Sequence, residues 1–193
     1  SDEVALDADG ISTATSVGNN AALVIGGALA SGGSVTNASA RQVTILSAGN
    51  DSSKSFNIVG TDVNGAALTE NLTGANAGTA TSSGYFKTIA SITAVGNPAG
   101  NVSAGINNNA LGVVFAGRTR LQGFSFVSGG TAGTANLRDT GATGTEVIQF
   151  RSTGTDSQSD GARGFPDEGI LFKDGCFVTF IVGTIDLMMF YHA

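Results

Sequence analysis

The sequence predicts an all-β protein assembled from antiparallel β-sandwich or jelly-roll-like units. Apolar residues recur with a period of two, as in Phe56-Asn57-Ile58 and Leu111-Gly112-Val113, which sends successive side chains to opposite faces of a strand. Tight-turn dipeptides separate such runs, with Asn64-Gly65 and Asp174-Gly175 the clearest; Asn-Gly and Asp-Gly accept the positive φ angles of short hairpin loops. No segment repeats its apolar residues at the helical period of 3.6.

Composition bounds the partners. Charged residues are 12% of the chain, about half the usual share. Gly contributes 29 residues and Pro only 2, which fits many tight turns on a neutral polar surface. The net charge of −6 argues against direct nucleic-acid binding, which rests on clustered Lys and Arg. No run is long and apolar enough to predict a membrane span, because the Ala21–Ala30 run is short and interrupted by Gly. The acidic start, Ser1-Asp2-Glu3, is unlike a secretory leader and reads as a cytoplasmic product after loss of its initiator Met. On that reading the Asn-x-Ser/Thr triplets at Asn37, Asn50, Asn71 and Asn101 carry no glycan.

In chain order, residues 1–37 read as an N-terminal arm, with the apolar stretch Ala21–Ile25 as a strand or extended arm. Residues 38–108 read as a β-sandwich-like unit. Its strands carry Val43 and Ile45, Phe56 and Ile58, Leu68 and Leu72, then Tyr85, Phe86, Ile89 and Ile92, and last Val102, Ala104 and Ile106. Turns fall at Gly49-Asn50-Asp51 and Asn64-Gly65. Glu70 sits awkwardly between Leu68 and Leu72, and a bulge or an edge position would resolve the conflict. Residues 74–84 read as a long polar loop, and Asn107-Asn108-Asn109 as a linker. Residues 109–193 read as a second sandwich or jelly-roll-like unit, with strands around Phe124 and Phe126, Ala135 and Leu137, and Val147–Phe150. A turn is expected at Gly129-Gly130 and a polar loop over 152–164. The final stretch, Ile170–Tyr191, reads as a hairpin about Asp174-Gly175, then a second break at Gly183-Thr184. Its strands are apolar on both faces, which predicts burial in a sandwich or a subunit contact.

No constellation for chemistry emerges. His192 is the lone histidine and would have to serve as the base of any nucleophilic triad. Cys176 is the lone cysteine, read as a buried, inert thiol, and one His with one Cys cannot build a structural zinc site. Asp7-Ala8-Asp9-Gly10 opens like a calcium loop, but Gly18 stands where the closing Glu belongs, so a frayed acidic terminus is expected. Asp156, Asp160, Asp167 and Glu168 form a second acidic cluster, read as a solvated loop. Gly129-Gly130-Thr131-Ala132-Gly133 lacks the Gly-Lys-Ser/Thr end of a phosphate loop. With no Trp and two Tyr, a carbohydrate site has little support. No catalytic, cofactor-binding or metal-binding residue is assigned, and no cofactor is expected.

The segments Arg41–Ser52, Phe56–Gly65, Thr69–Ala80 and Tyr85–Ala94, with Leu137-Arg138-Asp139, Val147–Phe150, Gly169–Gly175 and Met189-Phe190-Tyr191, resemble modules of tailed-bacteriophage virion proteins. Across residues 40 to 193 the resemblance implies a non-enzymatic capsid decoration (cement) protein. Such a protein would be assembled in the bacterial host cytoplasm and bind the major capsid protein on the outer head surface as a homo-oligomer, with a trimer favoured. A tail or head-fibre component with a receptor- or glycan-binding role is the alternative the resemblance leaves open.

Overall fold

The computed structural model describes residues 7–128, 131–152, 159–166, 168–181 and 185–192. The chain is all-β with antiparallel sheets and divides into two compact units, Ser1–Asn108 and Asn109–Ala193.

In the first unit, β1 (Asp7–Thr15), β2 (Ala30–Ser31), β3 (Ser34–Ser47), β4 (Ser55–Thr61), β5 (Ala67–Thr73), β6 (Thr79–Val95) and the first half of β7 (Val102–Phe115) enclose one core. β6 is long enough to pair with β3 through positions 79–89 and with β4 through 88–95. Alternation does what the sequence requires: in β4, Phe56 and Ile58 are buried while Ser55 and Asn57 are partly exposed. Phe56, Phe86, Ile45, Ile58, Ile89 and Ile92 are all fully buried, each contributing about 1.5–3 kcal/mol by leaving water. β1 lies so close to β7 that a side chain at Gly105 would meet the Asp7 carbonyl, and only Gly fits there.

Two breaks in the β3–β6 ladder shape this unit. Between the pairs Thr36↔Thr88 and Arg41↔Phe86, the chain takes five steps along β3 against two along β6, so residues 37–40 bulge from the sheet. The Asn37 side chain replaces a lost ladder contact by donating to the Phe86 carbonyl at 3.0 Å. Between Gln42↔Tyr85 and Thr44↔Thr81 the excess falls on β6. There the Ser82 hydroxyl accepts from the Val43 N–H at 2.8 Å, and the Ser83 and Gly84 N–H groups donate to Glu70, both at 2.8 Å. Glu70 is thus explained: β5 is an edge strand, and its carboxylate satisfies a bulge in β6.

The β4–β5 hairpin forms about Asn64-Gly65, with Thr61 paired to Ala67 and Gly65 at φ 82°. The Asp62 carboxylate accepts from the Asn64 and Ala66 N–H groups. Several expectations are corrected. Residues 7–37 form no separate arm, since β1, β2, Ile11 and Leu23 all join the first core. Ala21–Ile25 forms no strand: it touches the sheet at one bridge, Ala22↔Thr93, flanked by the Leu23 N–H donating to the Ile92 carbonyl and the Ala94 N–H donating to the Ala21 carbonyl. Thr79–Gly84 belongs to β6 rather than to a loop, because backbone pairing with Thr44–Leu46 needs no apolar side chains. Asn107-Asn108-Asn109 lies inside β7, where Asn107 donates to Gln42 at 2.8 Å. The unit boundary falls at this point, but the backbone there is strand and not linker.

The second unit is a two-layer sandwich. One layer runs β10 (Glu146–Ser152), β9 (Gly133–Asp139), β13 (Cys176–Ile181) and residues 109–115 of β7. The other is centred on β8 (Thr119–Ser128): β14 (Ile185–His192) pairs along positions 120–128 of β8. β11 (Ser159–Gly164) and β12 (Ile170–Phe172) pair with positions 123–127 and 119–121 of β8. A strand has two edges, so β11 and β12 follow one another along the edge opposite β14. Leu121 and Phe172 from one layer meet Leu137, Phe150 and Val178 from the other, and the Phe124 and Phe150 rings pack edge-on at 4.5 Å.

Here too the sequence misleads. Asp174-Gly175 is not a hairpin turn: β12 pairs with β8, whereas β13 pairs with β7 and β9. Phe172 and Cys176 both point into the same core, so the dipeptide carries the chain from one layer to the other. Part of the expected 152–164 loop is β11, whose small residues Gly161, Ala162 and Gly164 lie along β8. Residues 153–158 and the breaks at Gly129-Gly130 and Gly183-Thr184 fall outside the described residues.

Replacing Glu70 with Ala leaves the two bulge N–H groups without their acceptor and lowers stability by about 1–2 kcal/mol, typical of lost hydrogen bonds to a charged group. Thermal denaturation reads this as a fall of several degrees. Glu70→Gln, which keeps an acceptor oxygen, should lose less; an Ala variant as stable as the parent would contradict this role.

Candidate functional site

β14 is eight residues long, Ile185 to His192, and among the described residues it pairs with β8 alone. One of its edges is therefore unpaired among those residues. Its inward residues, Leu187 and Met189, pack on the second core. Its outward residues are apolar as well: Met188 is 62% and Phe190 53% exposed. Their partners across β8 are small, Ser125 and Gly123, so no side chain covers either one from that strand. A register shift between Phe190 and Tyr191 skips Gln122 of β8. Tyr191 is consequently also exposed, with its ring 5.5 Å from that of Phe115.

An open edge bearing apolar side chains invites pairing, and soluble proteins usually protect such edges with charge. Two other edges follow that rule: β10 carries Glu146 and Arg151, with Arg138 paired to Glu146 at 3.1 Å, and β5 carries Glu70, whereas the short β12 carries no charge. β14 keeps five consecutive residues without charge, Leu187 to Tyr191. The sequence predicts burial in a sandwich or a subunit contact. β13 meets it, since Cys176, Phe177, Val178 and Thr179 are all buried. The outward face of β14 is not buried among the described residues of this chain.

The residues weighed for chemistry are scattered. His192 is exposed at the end of β14, and its carbonyl accepts from the Thr119 hydroxyl at 2.9 Å. Cys176 is buried, and burial, followed by the charge of Asp139, pushes its thiol up from 9.0 to about 12. That thiol is no nucleophile at neutral pH. Asp7, Asp9 and Gly10 belong to β1, which pairs with β7 from Asp7, opposite Ile106, onward. From Asp7 onward the terminus is therefore not frayed, and an extended strand cannot wrap an ion as a calcium loop does. Glu168 forms an ion pair with Arg120 at 2.8 Å; Asp156 and Asp167 lie outside the described residues, as does the side chain of Asp160. Among the described residues no three His, Cys, Asp or Glu side chains gather as a metal site.

Sequence reasoning overlooked Asp139. Its carboxylate accepts from the Lys173 and Asp174 N–H groups at 3.1 and 3.0 Å, closing the corner between the two layers. Burial raises its pKa, but the backbone N–H groups of Asp174, Lys173, Gly175 and Thr140 outweigh it and hold the carboxyl below its ordinary 3.8. Only the spacing of an Asp ahead of a later Asp-Gly hints at this role, and that spacing is uninformative without the fold.

The depressed folded-state pKa of Asp139 fixes the sign of a pH effect. Its stabilisation is full above the unfolded value and disappears as pH falls through the folded one. Denaturant midpoints measured from about pH 5 down to about pH 3 should therefore fall less steeply in Asp139→Asn than in the parent; identical slopes would contradict the assignment. Alkylating reagent at pH 8 should modify Cys176 only after unfolding, and rapid labelling of the native protein would contradict its burial. No family model, curated protein or solved structure matches the chain.

Proposed function

We propose that the chain is a structural, non-enzymatic protein of a bacteriophage particle. In this reading it is a capsid decoration (cement) protein that binds the major capsid protein on the outer head surface as a homo-oligomer, with a trimer favoured. The single observation that carries the reading is the β14 edge, unpaired among the described residues, with Met188 and Phe190 facing outward from a run of five uncharged residues. Support also comes from the segments that resemble virion proteins and from a surface poor in charge. Such a protein works mechanically. Apolar surface removed from water contributes about 25 cal/mol per Å², while each association costs roughly 4–15 kcal/mol of lost freedom. A weak contact therefore becomes significant when many copies share it across one shell.

Replacing both Met188 and Phe190 with Lys tests this. Sedimentation and native mass should show the parent as an oligomer and the double variant as a monomer with unchanged β circular dichroism. Mixed with heads lacking the protein, the parent should bind and the variant should stay in solution. A parent that is monomeric and fails to bind heads would overturn the reading, and density for the protein at the tail tip alone would move it to a tail component.

A further inference from the structure

The tip of the β4–β5 hairpin sets an Asn-Gly dipeptide against a single carboxylate. Its loop runs Asp62-Val63-Asn64-Gly65-Ala66, between the paired residues Thr61 and Ala67. The Gly65 N–H donates to the Asp62 carbonyl at 3.1 Å, and the Asp62 N–H to the Ala66 carbonyl at 2.8 Å. Gly65 has φ 82°, whereas neither Val63 nor Asn64 has a positive φ. The loop is thus a type I turn followed by a left-handed glycine, a common three-residue hairpin connection. Asp62 Oδ1 clamps it from inside, accepting from the Asn64 and Ala66 N–H groups at 2.8 and 2.9 Å. Asn64 is exposed, and its carboxamide makes no hydrogen bond among the described residues. Apart from its chain neighbours, no atom lies within 4 Å of where a Cβ at Gly65 would stand.

We propose that Asn64 is a site of spontaneous deamidation and that Asp62 sets its rate. The Gly65 nitrogen bonds to Asn64 Cγ as its own proton passes to water, the Cγ–Nδ2 bond breaks, and ammonia departs. Water then opens the succinimide at either of its two carbonyls. One opening gives aspartate; the other gives isoaspartate, with the main chain rerouted through the side chain. Water is the only co-reactant. A glycine nitrogen suits the attack because no Cβ shields it. In the closed loop, however, that N–H is engaged with the Asp62 carbonyl, so the turn must open before the ring can close. Opening breaks the two bonds to Asp62 Oδ1 as well, which makes Asp62 a positioning residue that slows the reaction. The product adds one negative charge to a net −6, making −7, and places it beside another carboxylate. The hairpin belongs to the first unit and β14 to the second, so this inference stands apart from the assembly reading.

Incubation of the full chain at mildly alkaline pH, followed by peptide mass mapping and isoaspartyl labelling, tests the proposal. The peptide spanning the turn should slowly gain the mass of an amide-to-acid change, with isoaspartate at Asn64, and gain it faster in denaturant. Asp62→Ala should speed the native reaction about tenfold, the equivalent of one hydrogen bond to a charged group, and leave the rate in denaturant unchanged. Asp62→Asn, which keeps an acceptor oxygen, should stay close to the parent. If Asp62→Ala fails to fold, the parent alone decides, because equal rates in native buffer and in denaturant would overturn the protective turn. No isoaspartate at Asn64 in the native chain while the unfolded chain converts fully would overturn the site, and a native Asp62→Ala rate equal to the parent's would overturn the role of Asp62.

Discussion

Every antiparallel strand must hand its backbone N–H and C=O groups to a neighbour, and where the ladder breaks something else must take them. That constraint organises this molecule. At the β3 bulge the Asn37 amide bonds the Phe86 carbonyl; at the β6 bulge Ser82 and Glu70 take the Val43, Ser83 and Gly84 N–H groups. At the corner between the layers of the second unit, Asp139 takes the Lys173 and Asp174 N–H groups. With so few charged residues, the chain places individual carboxylates at breaks in its backbone pairing, and fewer remain to cover its edges.

The breaks also shape the surface. A bulge displaces backbone and leaves space, and beside the β3 bulge that space is lined by Arg41 and Lys87. The edge of β14 is the opposite case: the backbone groups there have no partner strand among the described residues, and the side chains beside them, Met188 and Phe190, are apolar. An interface satisfies both needs together, since pairing would occupy the edge while Met188 and Phe190 leave water.

Much of the fold is legible in the sequence because period-two alternation is a local signal. Phe56 and Ile58, the Asn64-Gly65 hairpin, and the densely apolar β13 can be read directly. What fails depends on which strand is the neighbour. Asp174-Gly175 has hairpin chemistry, yet the strands beside it join different sheets because Phe172 and Cys176 fill one core from two sides. Thr79–Gly84 and Ser159–Gly164 have little apolar content, and only their partners make them strands. The same limit governs the sites. Glu70 is visible as an anomaly, but not its acceptor role.

Hydrogen–deuterium exchange of residues 185–192, followed across a dilution series, addresses the β14 edge most directly. If that edge is covered by another copy, its outward amides exchange slowly in concentrated protein and speed up on dilution, while the core strand β13 stays protected throughout. Exchange along β14 that is rapid at every concentration would mean the edge stays open to water, and the assembly account would fail.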